Sequence, residues 1–180
     1  MSIFPPKERI WWNEPIEKSE VLWVTLALVW ALIMFFMMPW WHMTGNQNLS
    51  NEAYKIRPEA YTQKVEEFAA KYTVREYGDT GVPVVSPPAG EDVYMLGRLW
   101  DWWPILELQK GQSYRLHISS ADWMHGFSLQ PENINLQIIP GYEMVLTVTP
   151  TSSGEFSVVC NEFCGIGHHT MVGKIFVVEK

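Results

Sequence analysis

Residues 160–171 read CNEFCGIGHHTM, and this short stretch carries most of the information about the C-terminal half of the chain. It places two thiols, an imidazole and a thioether at Cys160, Cys164, His168 and Met171. Thiolate, imidazole and a weakly bound thioether are the ligands that copper electron-transfer sites use. The stretch therefore predicts a metal-binding loop, with copper as the favoured ion.

The number of cysteines in this loop favours two ions. A mononuclear copper loop needs one thiolate, whereas Cys160 and Cys164 can both bridge a pair of copper ions, sharing charge between the metals and keeping reorganisation small. Two ions need a further imidazole from a distant part of the chain. His125, at the end of a strand and before Gly126, is the candidate.

Two other interpretations of the loop stay open at this point. Both cysteines fall in a segment predicted to lie outside the membrane, where a disulfide is the default expectation, although this bridge would close a very small loop. Two Cys and two His also satisfy a tetrahedral zinc site, but Met171 and the tight spacing argue against zinc. The remaining histidines have other predicted places: His42 at the membrane interface, His117 on the solvent face of a strand beside Arg115, and His169 beside His168 as a surface or supporting residue.

The chain around this loop has the pattern of an all-β domain. Turn signals such as Pro140-Gly141 and Ser153-Gly154 separate short apolar runs. Regularly spaced strands without intervening helices predict a β-sandwich. The predicted strands are Val93–Leu99, Ile105–Leu108, Ser113–Ser119, Phe127–Gln130, Asn135–Ile139, Met144–Thr149, Gly154–Val159 and Gly173–Val178.

A second stretch, VLWVTLALVWALIMFFMMPWW at residues 21–41, carries no charge. A helix of about 21 residues rises roughly 31 Å, which matches the hydrocarbon core of a bilayer. A buried core helix is disfavoured because every face is apolar. A cleaved signal peptide is disfavoured because the preceding residues are mixed in charge and no small-residue cleavage site follows. The sequence thus predicts a retained anchor over residues 19–42.

Charge around the anchor predicts its orientation. Basic residues occur within residues 1–18, and none follows the anchor until Lys55, so the positive-inside rule places the N-terminus in the cytoplasm and the C-terminal domain outside. Trp11-Trp12 and Trp40-Trp41 fit aromatic belts at the two interfaces. The net charge of -7 disfavours nucleic acid and favours a basic partner.

The segment between the anchor and the predicted strands is polar except for one stretch with the pattern of a helix. Pro58 can open a helix, and a stripe of Tyr61, Val65, Phe68 and Tyr72 predicts a surface helix packed on the domain or on a neighbouring subunit. The Gly- and Pro-rich run 78–90 predicts a loop. The predicted division of the chain is a cytoplasmic lead over 1–18, the transmembrane helix over 19–42, a linker with a short helix over 43–92, and the domain over 93–180.

The C-x₃-C-x₃-H-x₂-M spacing, with Glu162 between the cysteines, resembles the Cu-A motif of cytochrome c oxidase subunit II. The upstream His125-Gly-Phe matches that family's first ligand, and the single anchor is similar to the short subunit II of the B-type (ba-type) oxidases. The resemblance covers the domain from about Val93 and, more loosely, the anchor. It implies an all-β cupredoxin fold, a Greek-key β-sandwich, with a dinuclear copper centre.

The same resemblance implies a ligand set. One copper ion is held by His125 and Met171, and the other by His168 and the backbone carbonyl of Glu162, with both cysteines bridging.

The resemblance also implies a function and partners. Electrons from cytochrome c or a small copper protein pass through the copper pair to heme in an integral-membrane subunit I, which reduces dioxygen. The chain is then a single-pass subunit of a cytochrome c oxidase in the cell (inner) membrane, embedded in lipid, and it performs electron transfer only. Two alternatives stay open: a Cu-A subunit of a heme–copper nitric oxide reductase, and a membrane-anchored copper store or chaperone.

Three further residues have candidate roles. The resemblance places the aromatic residue at which the electron enters within residues 99–103 (LWDWW), and Trp100 is the candidate, with packing of the domain as the alternative. Asp122, three residues before His125, is a candidate to orient that ligand, or else a solvated loop acid. Glu17 resembles a carboxylate at the mouth of a proton channel, or is a surface charge beside the membrane.

Overall fold

The structure is a computed structural model that describes residues 15–45, 52–130 and 132–179. The chain divides into two compact units, 1–47 and 48–180.

Helix α1, Lys18–Thr44, forms the first unit. Its start is capped by main-chain and side-chain groups: the Glu17 N–H donates to Glu20 Oε2 (3.2 Å), and the Glu20 N–H donates to the Glu17 carbonyl (3.0 Å). None of the described residues of α1 is buried within the unit. The helix is long and apolar enough to cross a membrane, in agreement with the predicted anchor. The basic residues before residue 15 and Trp11-Trp12 lie outside the described residues, so the orientation stays a prediction.

The described part of unit 48–180 is a β-sandwich. Its strands are β1 (Glu52–Lys55), β2 (Thr73–Tyr77), β3 (Val82–Val85), β4 (Asp92–Arg98), β5 (Asp101–Trp103), β6 (Ile105–Gln109), β7 (Tyr114–Ser120), β8 (His125–Leu129), β9 (Ile134–Ile138), β10 (Tyr142–Val148), β11 (Gly154–Cys160) and β12 (Val172–Val178). A five-stranded sheet has the order β1-β10-β7-β4-β5, and a seven-stranded sheet has the order β2-β3-β6-β12-β11-β8-β9. The chain passes repeatedly between the two sheets. The predicted fold, an all-β cupredoxin sandwich preceded by an apolar helix, is confirmed.

Alternation of side chains builds the core between the sheets. Strand β12 buries Gly173, Ile175 and Val177 and turns the intervening residues outward. Strand β4 buries Val93 and Met95 in the same way. These inward side chains form one cluster with those of β6, β7, β8 and β11. The ends of β8 and β11 are therefore anchored in a packed core, which lets them hold side chains at fixed positions.

Helix α2, Pro58–Tyr72, covers part of the five-stranded sheet. Its stripe of Tyr61, Val65 and Phe68 is buried, and the Tyr61 hydroxyl donates to the Met95 carbonyl on β4 (3.1 Å). The predicted surface helix packed on the domain is confirmed.

The segment predicted as a linker, 43–92, contributes strands as well as α2. The loop prediction for the run 78–90 is wrong at β3, where Val84 and Val85 are fully buried. Pro83 and the nearby glycines made this segment resemble a loop, because Pro is disfavoured inside sheets except at edges and bulges. Strands β1 and β2 were missed because they are short and polar, and their pairing partners are distant in sequence.

The predicted position of His117 on a solvent face is also wrong. His117 is only 7% exposed, because α2 lies over that face of β7. Alternation along a strand identifies two faces but not what covers each of them.

Candidate metal centre

Cys160 and Cys164 form the centre of the candidate site. Cys160 is the last residue of β11, and Cys164 lies in the loop that follows. Both are buried free cysteines, with their sulfur atoms 3.7 Å apart. The two thiols therefore lie side by side without a disulfide.

The loop folds back so that its later residues reach the same sulfur atoms. The Cys160 N–H donates to the Met171 carbonyl (3.1 Å), which closes the loop at its base, and a 3₁₀ turn over His168–Thr170 shapes its far side. Cys164 Sγ lies 3.7 Å from His168 Nδ1 and 3.7 Å from Met171 Sδ. Local backbone geometry thus gathers a thiol, an imidazole and a thioether.

His125 comes from a different part of the chain, the first residue of β8. Strand β8 pairs with β11 so that Phe127 lies opposite Cys160, and His125 Nδ1 lies 4.0 Å from Cys160 Sγ. One ligand atom each from His125, Cys160 and Cys164 falls within 4.8 Å of the others. Strand pairing, rather than proximity in sequence, brings this imidazole to the thiols.

The backbone carbonyl of Glu162 lies 3.2 Å from Cys160 Sγ and accepts its hydrogen bond. Gly126 makes this approach possible: a Cβ at that position would stand 2.8 Å from the Glu162 amide nitrogen. The Asn161 N–H donates to the Gly126 carbonyl (3.3 Å), and the Asn161 side chain donates to Asn135 on β9 (2.9 Å). These contacts set the direction of the Glu162 carbonyl. They join residues that are distant in the sequence, where the available signal for them is a glycine directly after a candidate ligand.

The six predicted ligands thus form two groups. The Glu162 carbonyl and the His125 ring lie beside the Cys160 sulfur. The His168 ring and the Met171 thioether lie beside the Cys164 sulfur.

The Cys164 thiol holds its proton at neutral pH when no metal is present. Burial, together with a hydrogen bond and charge repulsion from Cys160, raises the pKa of Cys164 to about 11. Metal binding must therefore release protons from the site, because the thiolate is the ligand.

Asp122 contacts two parts of the site. Its Oδ1 lies 2.9 Å from His125 Nε2, and its Oδ2 accepts a hydrogen bond from the Leu99 N–H (2.7 Å). Burial opposes ionisation, but the hydrogen bonds from His125 and from the Trp123 and Leu99 amides outweigh it and lower the pKa of Asp122. An ionised Asp122 accepts a hydrogen bond from the Nε2–H of His125, which leaves Nδ1, the nitrogen that faces Cys160, free to bind metal.

Trp100 packs against the loop. Its indole N–H donates to the Cys164 carbonyl (3.2 Å), and the indole is 39% exposed. Gly167 lies beneath the ring, since a Cβ there would stand 2.6 Å from Trp100 Cγ. Trp102 is buried in the core instead, with its ring 6.2 Å from the His125 ring, so the neighbouring tryptophans have different surroundings.

An exposed apolar surface surrounds the loop. We call it the apolar rim, and its members are Trp100, Trp123, Met124, Phe163 and Ile166. Phe163 and Ile166 are 77% and 90% exposed, which is unusual for large apolar side chains and typical of a surface that binds a partner.

The other predicted site residues lie elsewhere. Glu17 is the N-cap residue of α1, in the unit that does not contain the cysteines, and its proton-channel role stays a prediction. His169 belongs to the 3₁₀ turn and is exposed.

Residues 104–179 match the protein family described as "Cytochrome C oxidase subunit II, periplasmic domain". This range contains all six candidate ligands. The chain is 34% identical over 112 residues to the cytochrome c oxidase subunit 2 of Thermus thermophilus, a match that covers 59% of this chain and 83% of that protein. It is 36% identical over 76 residues to a probable cytochrome c oxidase subunit 2 of Streptomyces coelicolor, covering 42% and 24% of the two chains.

A solved structure gives the same fold over most of the chain. A chain of a heme–copper terminal oxidase dimer, determined by cryo-electron microscopy, superposes with a TM-score of 0.56 at 23% identity. The superposition covers 89% of this chain and 100% of that one.

Proposed function

The chain belongs to the cytochrome c oxidase subunit II family, and on that premise we propose that it is the subunit that accepts electrons for a terminal oxidase, through a dinuclear copper centre of the Cu-A type. The observation that carries the proposal is the pair of buried free thiols, 3.7 Å apart, with four further donors beside them. The alpha-helical anchor and the match to a periplasmic domain make it a membrane-anchored protein with a periplasmic domain.

The donors fit two ions better than one. A tetrahedral zinc ion takes four ligands, whereas two imidazoles, two thiols, a thioether and a carbonyl converge here. Soft sulfur ligands together with imidazole select copper over hard cations. Bonds of about 2.3 Å from a metal to sulfur allow both thiolates to reach the same ion at the observed sulfur–sulfur separation.

Each residue then has a separable task. When bound, the copper pair supplies one-electron chemistry. Cys160 and Cys164 would supply the thiolates that the two ions share, and His125, His168, Met171 and the Glu162 carbonyl would complete the coordination. Asp122 orients the His125 ring, and the packed ends of β8 and β11 keep the donors in place between oxidation states.

The apolar rim supports a docking role. We assign the donor, cytochrome c or a small copper protein, to this surface, with Trp100 as the residue at which the electron enters. The hydrogen bond from Trp100 to the Cys164 carbonyl connects the exposed indole to a bridging ligand. The acceptor in this proposal is heme in an integral-membrane subunit I, and the N-terminus lies in the cytoplasm.

Copper loading of the full-length chain in detergent tests the centre. We expect a purple protein with a mixed-valence EPR signal from one electron shared between two copper ions. Copper should stay bound in the presence of a weak chelator, because two bridging thiolates hold each ion. A colourless, EPR-silent protein would refute the dinuclear centre, and rapid loss of copper to the chelator would favour a copper store.

Asp122→Asn tests the orienting role. Asn offers one carbonyl oxygen, so either the His125 ring or the Leu99 N–H loses its acceptor. Loss of a group that orients a metal-bound histidine typically lowers metal affinity about 10- to 100-fold. We expect a decrease of this size in copper affinity, measured by competition with a copper chelator, together with an altered EPR spectrum. Asp101→Asn is the matched control, since the Asp101 side chain is 41% exposed and pairs with Arg98 (3.1 Å). Equal affinities in the two variants would contradict the role.

A further inference from the structure

His117 occupies a buried polar position in the five-stranded sheet, away from the cysteine-containing sheet. Its Nδ1 lies 2.6 Å from Glu143 Oε1 on the neighbouring strand β10. Glu143 is 5% exposed, and its other oxygen accepts a hydrogen bond from Lys64 of α2 (3.3 Å). The Tyr94 ring packs against the imidazole with the ring centres 4.7 Å apart. The imidazole is therefore held by two contacts, the hydrogen bond at Nδ1 and the packing of the Tyr94 ring.

The second ring nitrogen of His117 is the unexplained feature. Nε2 is buried and has no hydrogen-bond partner within residues 15–45, 52–130 and 132–179. Because Nδ1 is used in the hydrogen bond to the Glu143 carboxylate, Nε2 is the ring nitrogen that is available to bind a metal. A buried nitrogen left without a partner costs free energy, so a ligand that uses this nitrogen would stabilise the fold.

Asp92 supplies a second donor beside that nitrogen. Its Oδ1 lies 3.4 Å from His117 Nε2, in a geometry that is not a hydrogen bond. Two ligand atoms at about 2.0–2.1 Å from a tetrahedral ion are separated by about 3.4 Å. The carboxylate–histidine pair also has the usual supporting arrangement of a metal site, in which the other ring nitrogen donates to a carboxylate, here Glu143.

The charge around this position favours a cation. Burial, together with the carboxylates of Asp92 and Glu143, raises the pKa of Tyr94 above its usual value. Glu52 on β1 and Glu91, just before β4, add further negative charge nearby. Two cations oppose them. The Arg115 guanidinium lies 3.7 Å from Asp92 Oδ1 and 3.3 Å from Glu52, and the Lys64 ammonium lies 3.3 Å from Glu143.

We propose that His117 Nε2 and Asp92 Oδ1 bind a divalent ion of the zinc class, a second metal site independent of the copper centre. Imidazole and carboxylate are ligands that Zn²⁺ accepts. Water completes the coordination on the exposed side, because the Asp92 side chain is 42% exposed. Glu143 does not touch the ion; it positions the His117 ring.

Zinc titration of the full-length chain in detergent tests the site. Cys160 and Cys164 are both replaced by Ser in every sample, so that the thiols do not bind the added Zn²⁺, and circular dichroism verifies the fold. Calorimetry should show that His117→Gln and Asp92→Asn each weaken Zn²⁺ binding about tenfold or more, with Glu143→Gln weakening it about 10- to 100-fold. Zn²⁺ should also raise the melting temperature of the parent but not of these variants.

Two further variants separate binding from a structural role. Arg115→Gln should tighten Zn²⁺ binding, because it removes the cation that competes for Asp92, whereas a merely structural role would not predict a gain. Glu66→Gln, on the exposed face of α2, should leave binding unchanged. Because Asp92 is half-exposed, its variant decides the question even where His117→Gln fails to fold. Unchanged affinity in Asp92→Asn, or no Zn²⁺ binding by the parent, would overturn the proposal.

Discussion

Cys164→Ser is expected to eliminate the dinuclear copper spectrum of the full-length chain completely. The Cys164 sulfur lies 3.7 Å from each of three other candidate donors, those of Cys160, His168 and Met171. A serine hydroxyl is a poor ligand for copper, since soft thiolate is what selects that metal. Without a second bridge, the electron is confined to one ion, and EPR and visible absorption should report a mononuclear site or none. Cys160→Ser should have the same effect, because its sulfur lies between His125 and the Glu162 carbonyl.

Thr170→Ser provides the matched control for the same loop. Thr170 is exposed, and its hydroxyl donates to the Gly167 carbonyl (2.8 Å), a contact that Ser can keep. The control should retain the full spectrum and copper content. A Cys164→Ser protein with the same dinuclear spectrum as the control would refute the bridging role of the thiols.

Trp100→Leu is expected to slow electron uptake without removing copper. The indole is part of the apolar rim and donates to the Cys164 carbonyl, so the substitution removes both a contact of the proposed docking surface and a connection to a proposed bridging ligand. A tryptophan at the centre of a docking surface commonly contributes about 2 kcal/mol, which corresponds to roughly a thirtyfold change in binding. We therefore expect the second-order rate constant for reduction by cytochrome c, measured by stopped flow, to fall about tenfold or more.

Trp103→Leu is the control for the loss of a nearby tryptophan. Trp103 ends β5 and lies against Arg98, with the guanidinium 5.5 Å from its ring centre. This variant should reduce at the parental rate, and EPR should show an intact copper pair in both variants. Equal rates for Trp100→Leu and the parent would reject Trp100 as the position at which the electron enters.

The candidate metal-binding loop could be predicted because its candidate ligands are close together in the sequence. From Cys160 to Met171, the spacing alone places two thiols, an imidazole and a thioether on one short connection, and few functions other than metal binding require that combination. The more distant His125 was predictable only as one of several histidines, by its position beside a strand and its likeness to a family motif.

Some strands could be predicted from their own residues, whereas others depend on pairing with residues that are distant in the sequence. Strands β4, β6 and β12 were predictable because apolar residues alternate along each of them. Strand β3 was not, since Pro83 and the nearby glycines indicate a loop, and pairing with β2 and β6 outweighs that local preference. Likewise, α2 determines that His117 is buried, and nothing in the sequence of β7 indicates that cover.

By itself the sequence determined that the chain has an apolar anchor, a β-sandwich and a sulfur-rich loop, because periodicity, length and ligand spacing are properties of neighbouring residues. Only the tertiary structure decided that His125 meets Cys160, that Gly126 and Gly167 lie under the loop and under Trp100, and that His117 faces Asp92 beneath α2. These contacts join residues on different strands, and their distances follow from sheet register and side-chain packing. Such packing depends on the whole core at once, so a pattern along the chain does not specify it.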